Sequence, residues 1–184
     1  LHSDTHSFPT RRSSDLRLHT IGKTSSLPKT VQKLLLEGIE KTKENDGLTL
    51  TLALSYSGRW DILRAVQMIG LDIRRGKVSP EDITEETFSS YLQTHDLPDP
   101  DFMIRTSGEM RLSNFLLWEM AYGEMWITKK FWPQFRRLEL YEALYDYATR
   151  ERRFGKTSDQ IYQDKSESGS YFKRVVNAIR NSSK

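Results

Sequence analysis

Residues 48–62 read LTLTLALSYSGRWDI, and the period of the side chains changes within them. From Leu48 to Leu54, leucines alternate with threonine and alanine, the spacing of two that a strand requires. Ile62, Ala65, Val66, Ile69 and Ile73 then fall on one face of a helix. The polar turn Ser55-Tyr56-Ser57-Gly58 separates the two periods. A strand feeding a helix through a short turn is the repeating unit of an α/β fold, so the neighbouring segments decide whether it repeats.

It does. Upstream, Arg17–Ile21 is a short strand ended by Gly22. Leu27-Pro28 opens a helix with Val31, Leu34, Leu35 and Ile39 on one face, and Asn45-Asp46-Gly47 turns the chain back. Downstream, Gly76 and Pro80 close the helix, and a shorter one is expected over Glu85–Leu92. Leu97-Pro98-Asp99-Pro100 leads into a buried strand at Phe102-Met103-Ile104. Arg105–Asn114 is a polar loop, with Ser113 or Asn114 capping an expected helix through Tyr122. Glu124–Thr128 reads as a strand, and Leu138, Tyr141, Leu144, Tyr145 and Ala148 mark a long amphipathic helix. The fold expected is α/β, a mostly parallel sheet flanked by helices. Ligands of such sheets sit at the carboxyl ends of the strands, which places Ser55–Arg59 and Arg105–Asn114 on the ligand side.

Three segments divide the 184 residues. Residues 1–16, LHSDTHSFPTRRSSDL, have no strand or helix period and no signal-peptide pattern. They resemble translated sequencing-adapter DNA; an ordinary disordered N-terminus is the alternative. Residues 17–158 carry the α/β pattern. Residues 159–184 are a linker and a small amphipathic tail helix, with Tyr171, Phe172, Val175, Val176 and Ile179 on one side. That helix can pack on the domain or touch a membrane surface. No run approaches the roughly 20 apolar residues of a membrane-spanning helix. The absence of cysteine rules out disulfides and thiolate metal sites and fits a reducing compartment, without fixing a cytosolic address. The net charge of +3 permits attraction to phosphates of any kind and selects none.

Four constellations can carry chemistry. IRTSGEMRLSN, Ile104 to Asn114, gathers Arg105, Arg111, the hydroxyls of Thr106, Ser107 and Ser113, and the expected helix N-terminus. Arginine forks, hydroxyls and exposed N–H groups suit a diphosphate. The competing reading is a surface loop whose arginines pair with Glu109 or Glu124. In SYSGRWD, Arg59 and Asp61 can orient a phosphate or a neighbouring arginine, or simply start a helix. Glu124 offers one carboxylate, and a Mg²⁺ bound to a diphosphate needs only one or two. Arg150 to Lys156, RERRFGK, is either ordinary C-terminal capping or a basic arm toward a phosphate site. His19 and His95 stand alone, without ligand spacing.

In this order and spacing, these segments resemble the bacterial cis-prenyltransferases of the undecaprenyl diphosphate synthase type. LTLALSYSGRWDI resembles the family's central block, DFMIRTSGEMRLSNFLLWEMAYGEMWITKKFWPQF its long C-terminal signature, and RERRFG its final Arg-x-Gly element. The resemblance implies an isoprenyl transferase that joins isopentenyl diphosphate to an allylic diphosphate, typically farnesyl diphosphate, with cis double bonds. Undecaprenyl diphosphate for the cell-wall lipid carrier is the expected product. It implies that Arg105, Arg111 and Ser113 bind the isopentenyl diphosphate, that Glu124 serves Mg²⁺, and that Arg59 and Asp61 organise the site. Arg153 and Gly155 would reach the partner's site across a homodimer interface. The product would bring the enzyme to the inner face of the plasma membrane as a peripheral protein.

One departure is Ser55, where many members have Asn. A larger one is that the family's Asp-Gly-Asn-Gly-Arg-Trp block, which supplies the catalytic aspartate, is not found in this sequence. The 184 residues alone are therefore expected to be inactive. Two rival readings remain. A non-catalytic partner subunit of a two-component cis-prenyltransferase also lacks that block, but such subunits tend to lose the arginines kept here. A nucleic-acid-binding module would need a basic stripe with aromatic stacking positions, which this sequence does not display.

Overall fold

The computed structural model of the chain describes residues 15–150. Two compact units share them, one ending at Pro98 and the other beginning at Asp99.

In the first unit, β1 (Arg17–Ile21) pairs in parallel with β2 (Thr49–Ala53), in register from Arg17↔Thr49 to Ile21↔Ala53. The crossover is α1 (Lys29–Thr42), whose Pro28 caps the helix where no N–H is needed. The turn after β2 feeds α2 (Gly58–Arg74), and Ser57 Oγ accepts from Trp60 N to cap it. A short α3 (Glu85–Ser90) follows, ending two residues before the expected Leu92. Gly22 closes β1 at φ +105°, where a Cβ would stand 2.1 Å from the Leu54 carbonyl oxygen. No side chain fits that close approach.

The expected inner faces of this unit are only partly covered. Ala65 and Ile69 of α2 are buried, but Val66 is exposed, as are Val31 and Leu34 of α1. Two strands offer too little apolar area to cover both helices, so one stripe of each stays at the surface.

In the second unit, β3 (Phe102–Arg105) pairs in parallel with β4 (Glu124–Ile127), from Phe102↔Glu124 to Arg105↔Ile127. The helix expected over residues 114–122 is not formed. Ser113, Asn114 and Leu116 have φ of +51°, +62° and +45°, and the segment makes turns and one 3₁₀ turn at Glu119–Ala121. Left-handed residues interrupt an α-helical ladder, so the polar turn won over the apolar period of Phe115–Tyr122.

The closing helix α4 (Arg137–Thr149) forms as expected, but its buried face is displaced by one residue. Glu139 and Ala143 are buried, while Leu138 and Tyr145 are exposed. Glu139 explains the shift. Its Oε2 accepts from Arg136 N at 2.7 Å, its Oε1 pairs with Lys130 Nζ, and this box fixes the rotation of the helix. Phe102 stacks on Tyr147 at 4.5 Å and Trp126 meets Phe135 edge-on at 6.4 Å, completing the aromatic packing around the β3–β4 pair.

Candidate functional site

The loop after β3 is tied down at its base and open at its tip. Thr128 N donates to the Arg105 carbonyl at 2.9 Å, Ser107 N to Lys130 O at 2.9 Å, and Gly108 N to Thr128 O at 2.8 Å. Those contacts require left-handed φ of +67° at Ser107 and +70° at Gly108. They also occupy the N–H groups of Ser107 and Gly108, and no helix N-terminus begins near Ser113. The anion-binding capacity therefore rests on side chains.

Arg105 is the chief of these. Its Nη2 donates to Ser113 Oγ at 3.1 Å, while its Nε is buried without a hydrogen-bond partner. A buried donor left unsatisfied costs roughly 1–3 kcal/mol, so such a group is a reason to look for a ligand. Ser113 is held over Arg105 by a tight turn, Phe115 N donating to Leu112 O at 3.1 Å, with Ser113 and Asn114 both left-handed. For an L-residue that conformation costs roughly 1–2 kcal/mol. Strain of this kind is retained where surrounding structure enforces it, often at sites that bind. Arg111 pairs with Glu109 at 2.8 Å and is 71% exposed, so solvent screens it and a stronger anion can displace Glu109. Lys129, which the sequence did not single out, lies beside this loop. Its stem lies 3.7 Å from where a Cβ of Gly108 would be, at the carboxyl end of β4. The rule that ligands meet strands at that end could have found it.

Glu124 occupies the other end of the same pair of strands. It lies opposite Phe102, three residues before the rung of Arg105, roughly 10 Å along the ladder. Arg150 Nη1 donates to its Oε2 at 3.0 Å. Burial pulls the Arg150 pKa down, but hydrogen bonds to Glu124 and Asp146 outweigh it and leave it raised. Among the described residues, no group of three or more His, Asp or Glu side chains could hold a metal ion. Glu124 offers one carboxylate, of the one or two that a Mg²⁺ bound to a diphosphate takes from a protein, at the opposite end of the strand pair from Arg105.

In the first unit, Asp61 is fully buried and its carboxylate is spent on protein groups. Oδ1 accepts from Arg64 Nε at 3.0 Å and Oδ2 from Gln93 N at 3.1 Å. Arg64 Nη2 in turn donates to the Tyr91 carbonyl at 2.7 Å, and Gln93 Oε1 accepts from Gly22 N. Of the three roles the sequence left open, the hydrogen bonds match the one in which Asp61 orients a neighbouring arginine, Arg64. The network lines a cleft of about 500 Å³ with Thr20, Gly22, Arg64, Tyr91, Gln93 and His95 among its walls. Arg59 is exposed on the first turn of α2. His95 Nδ1 lies 3.0 Å from the Leu92 carbonyl and its Nε2 3.3 Å from Asp96, a local structural role. Arg153, Gly155, the tail helix and residues 1–14 of the leader lie outside the described residues.

Comparison with known proteins adds an independent line. Residues 3–155 match the family described as "Putative undecaprenyl diphosphate synthase". The isoprenyl transferase of Chlorobaculum tepidum is 52% identical over 148 residues, 80% of this chain and 56% of that protein. A ditrans,polycis-undecaprenyl-diphosphate synthase of Vibrio vulnificus, described as specific for (2E,6E)-farnesyl diphosphate, is 47% identical over 80% of this chain and 59% of its own. Among solved structures, lavandulyl diphosphate synthase of Lavandula x intermedia, in complex with dimethylallyl diphosphate, superposes with a TM-score of 0.77. It is 36% identical and the match covers 79% of this chain and 63% of that one. The chain thus spans between half and two thirds of the length of these relatives.

Proposed function

This chain belongs to the undecaprenyl diphosphate synthase family, and we propose that its Arg105–Asn114 loop binds the diphosphate of isopentenyl diphosphate in a cis-prenyl transfer. The observation that carries the reading is the buried, unpartnered Nε of Arg105 beside the Ser113 hydroxyl. A diphosphate oxygen on that fork satisfies the orphan donor and gains a charge-assisted bond, with Arg111 and Lys129 adding cationic charge.

In the whole protein, the reaction joins isopentenyl diphosphate to farnesyl diphosphate, and a long polyprenyl diphosphate, undecaprenyl diphosphate, is the product we assign. Arg105, Arg111 and Ser113 hold the second substrate in line with the developing allylic cation, a proximity effect. Glu124 would give one carboxylate to Mg²⁺, which when bound offsets the charge gathering on a diphosphate. Arg59 and Asp61 help to organise the site, and Arg153 and Gly155 reach the partner's site in a homodimer. A cytoplasmic enzyme, peripheral to the inner face of the plasma membrane, suits a substrate that is soluble and a product that is not.

The test is titration of the 184-residue chain with isopentenyl diphosphate, followed by phosphorus NMR. Saturable binding that inorganic pyrophosphate displaces supports the reading, and no binding below millimolar concentration rejects it. Because the Asp-Gly-Asn-Gly-Arg-Trp block is not in this sequence, the chain alone should not elongate farnesyl diphosphate. Turnover by the isolated chain would overturn that part. Elongation appearing only when a catalytic subunit is added would favour the partner-subunit reading.

A further inference from the structure

Arg150 ends α4 and holds three oxygen acceptors at once. Its Nη1 donates to Glu124 Oε2 and to the Met125 carbonyl, each at 3.0 Å, and its Nε donates to Asp146 Oδ2 at 2.9 Å. Side-chain exposures of 31% for Arg150 and 26% for Glu124 make the pair half-buried, so solvent screens it less than a surface pair. The cation therefore sits on the carboxylate oxygen that a metal ion would take. Two cations cannot share that oxygen, because each keeps the other from the site by charge and by volume.

We infer that Arg150 is the counter-ion that a divalent cation must displace from Glu124, so that Arg150 sets the metal affinity of this carboxylate. The inference rests on the proposed role of Glu124 toward Mg²⁺. The same Nη1 also holds the Met125 carbonyl, so the exchange frees a second hard oxygen of the kind Mg²⁺ and Mn²⁺ accept. It acts on the residue that joins α4 directly to the basic segment 151–156. Arg150 is thus a positioning residue: it keeps Glu124 oriented when no metal is present and yields it when one arrives.

The test uses Mn²⁺ alone, titrated into the full 184-residue chain and followed by the electron paramagnetic resonance of the free ion. Glu124→Gln should weaken binding. Arg150→Gln should tighten it roughly fivefold, the scale of a partly screened ion pair. Arg150→Lys keeps the charge without the fork and should tighten it less. It also serves as the measurement of record if circular dichroism shows that Arg150→Gln fails to fold. If Glu124→Gln weakens binding while both Arg150 variants leave it unchanged or weaken it, Glu124 is a ligand but the exchange is wrong. If Glu124→Gln changes nothing, the metal role of Glu124 fails and the inference falls with it.

Discussion

The Arg105 guanidinium faces Ser113 Oγ at 3.1 Å across a turn in which Ser113 and Asn114 are both left-handed. The folded chain thus keeps two costly features side by side, a strained turn and an unsatisfied buried donor. Both become useful when an anion fills the space between them.

Arg105→Met should remove pyrophosphate binding while leaving the melting temperature equal or higher. Replacing a buried unsatisfied donor by an apolar side chain of similar length costs the fold little. The lost charge-assisted bonds should weaken binding about 10- to 100-fold by calorimetry. Arg105→Lys should lose most of it too, since a point charge does not reproduce the fork. A large drop in melting temperature for Arg105→Met would show the arginine to be structural.

Ser113→Gly separates the strain from the hydroxyl. Glycine adopts φ near +51° freely, so the variant should gain roughly 0.5–1 kcal/mol in urea unfolding. It should nevertheless bind pyrophosphate more weakly, because the hydroxyl is gone. Ser113→Ala should lose the same affinity without the gain in stability.

Asp61→Ala leaves Arg64 Nε and the Gln93 N–H without their acceptor. Breaking a buried pair by deleting one partner costs roughly 3–5 kcal/mol. The urea midpoint should fall accordingly, and the amide of Gly22, which Gln93 Oε1 covers, should exchange faster with solvent.

Acid should loosen α4 at its start. The Glu139 carboxyl is lowered to about 2 from an ordinary 4.5, first by the hydrogen bond from Lys130 and then by backbone N–H groups. A folded-state value below the unfolded one means that the contribution is complete above about pH 4.5. It is lost as the pH falls toward 2. The Lys130 ammonium is held correspondingly above its usual range by the same bond. Glu139→Gln should flatten this acid limb of the stability curve, measured by tryptophan fluorescence.

Among the described residues, periodicity was enough to place the four strands and the helices α1, α2 and α4, because each has a repeat bounded by Gly, Pro or a capping residue. It failed at 114–122 for a physical reason. The run FLLWEMAY is apolar enough for a helix, but Ser113, Asn114 and Leu116 are held left-handed by contacts that no local repeat encodes. The rotation of α4 was hidden likewise, since the burial of Glu139 depends on Lys130, nine residues upstream. In the candidate site, residue types and strand ends marked Arg105 and Ser113. The fate of the Ser107 and Gly108 amides and the grip of Arg150 on Glu124 depend on partners far along the chain, which spacing does not show.

The tight contact at Gly22 has a consequence for how this gene can drift. With 2.1 Å between a would-be Cβ and the Leu54 carbonyl, and φ at +105°, a library saturated at codon 22 and selected for folded protein should return glycine alone. Codon 70 makes the contrast. Gly70 lies inside α2 with open space around it, so that position should accept nearly any substitution, and alanine would be enriched over the starting residue.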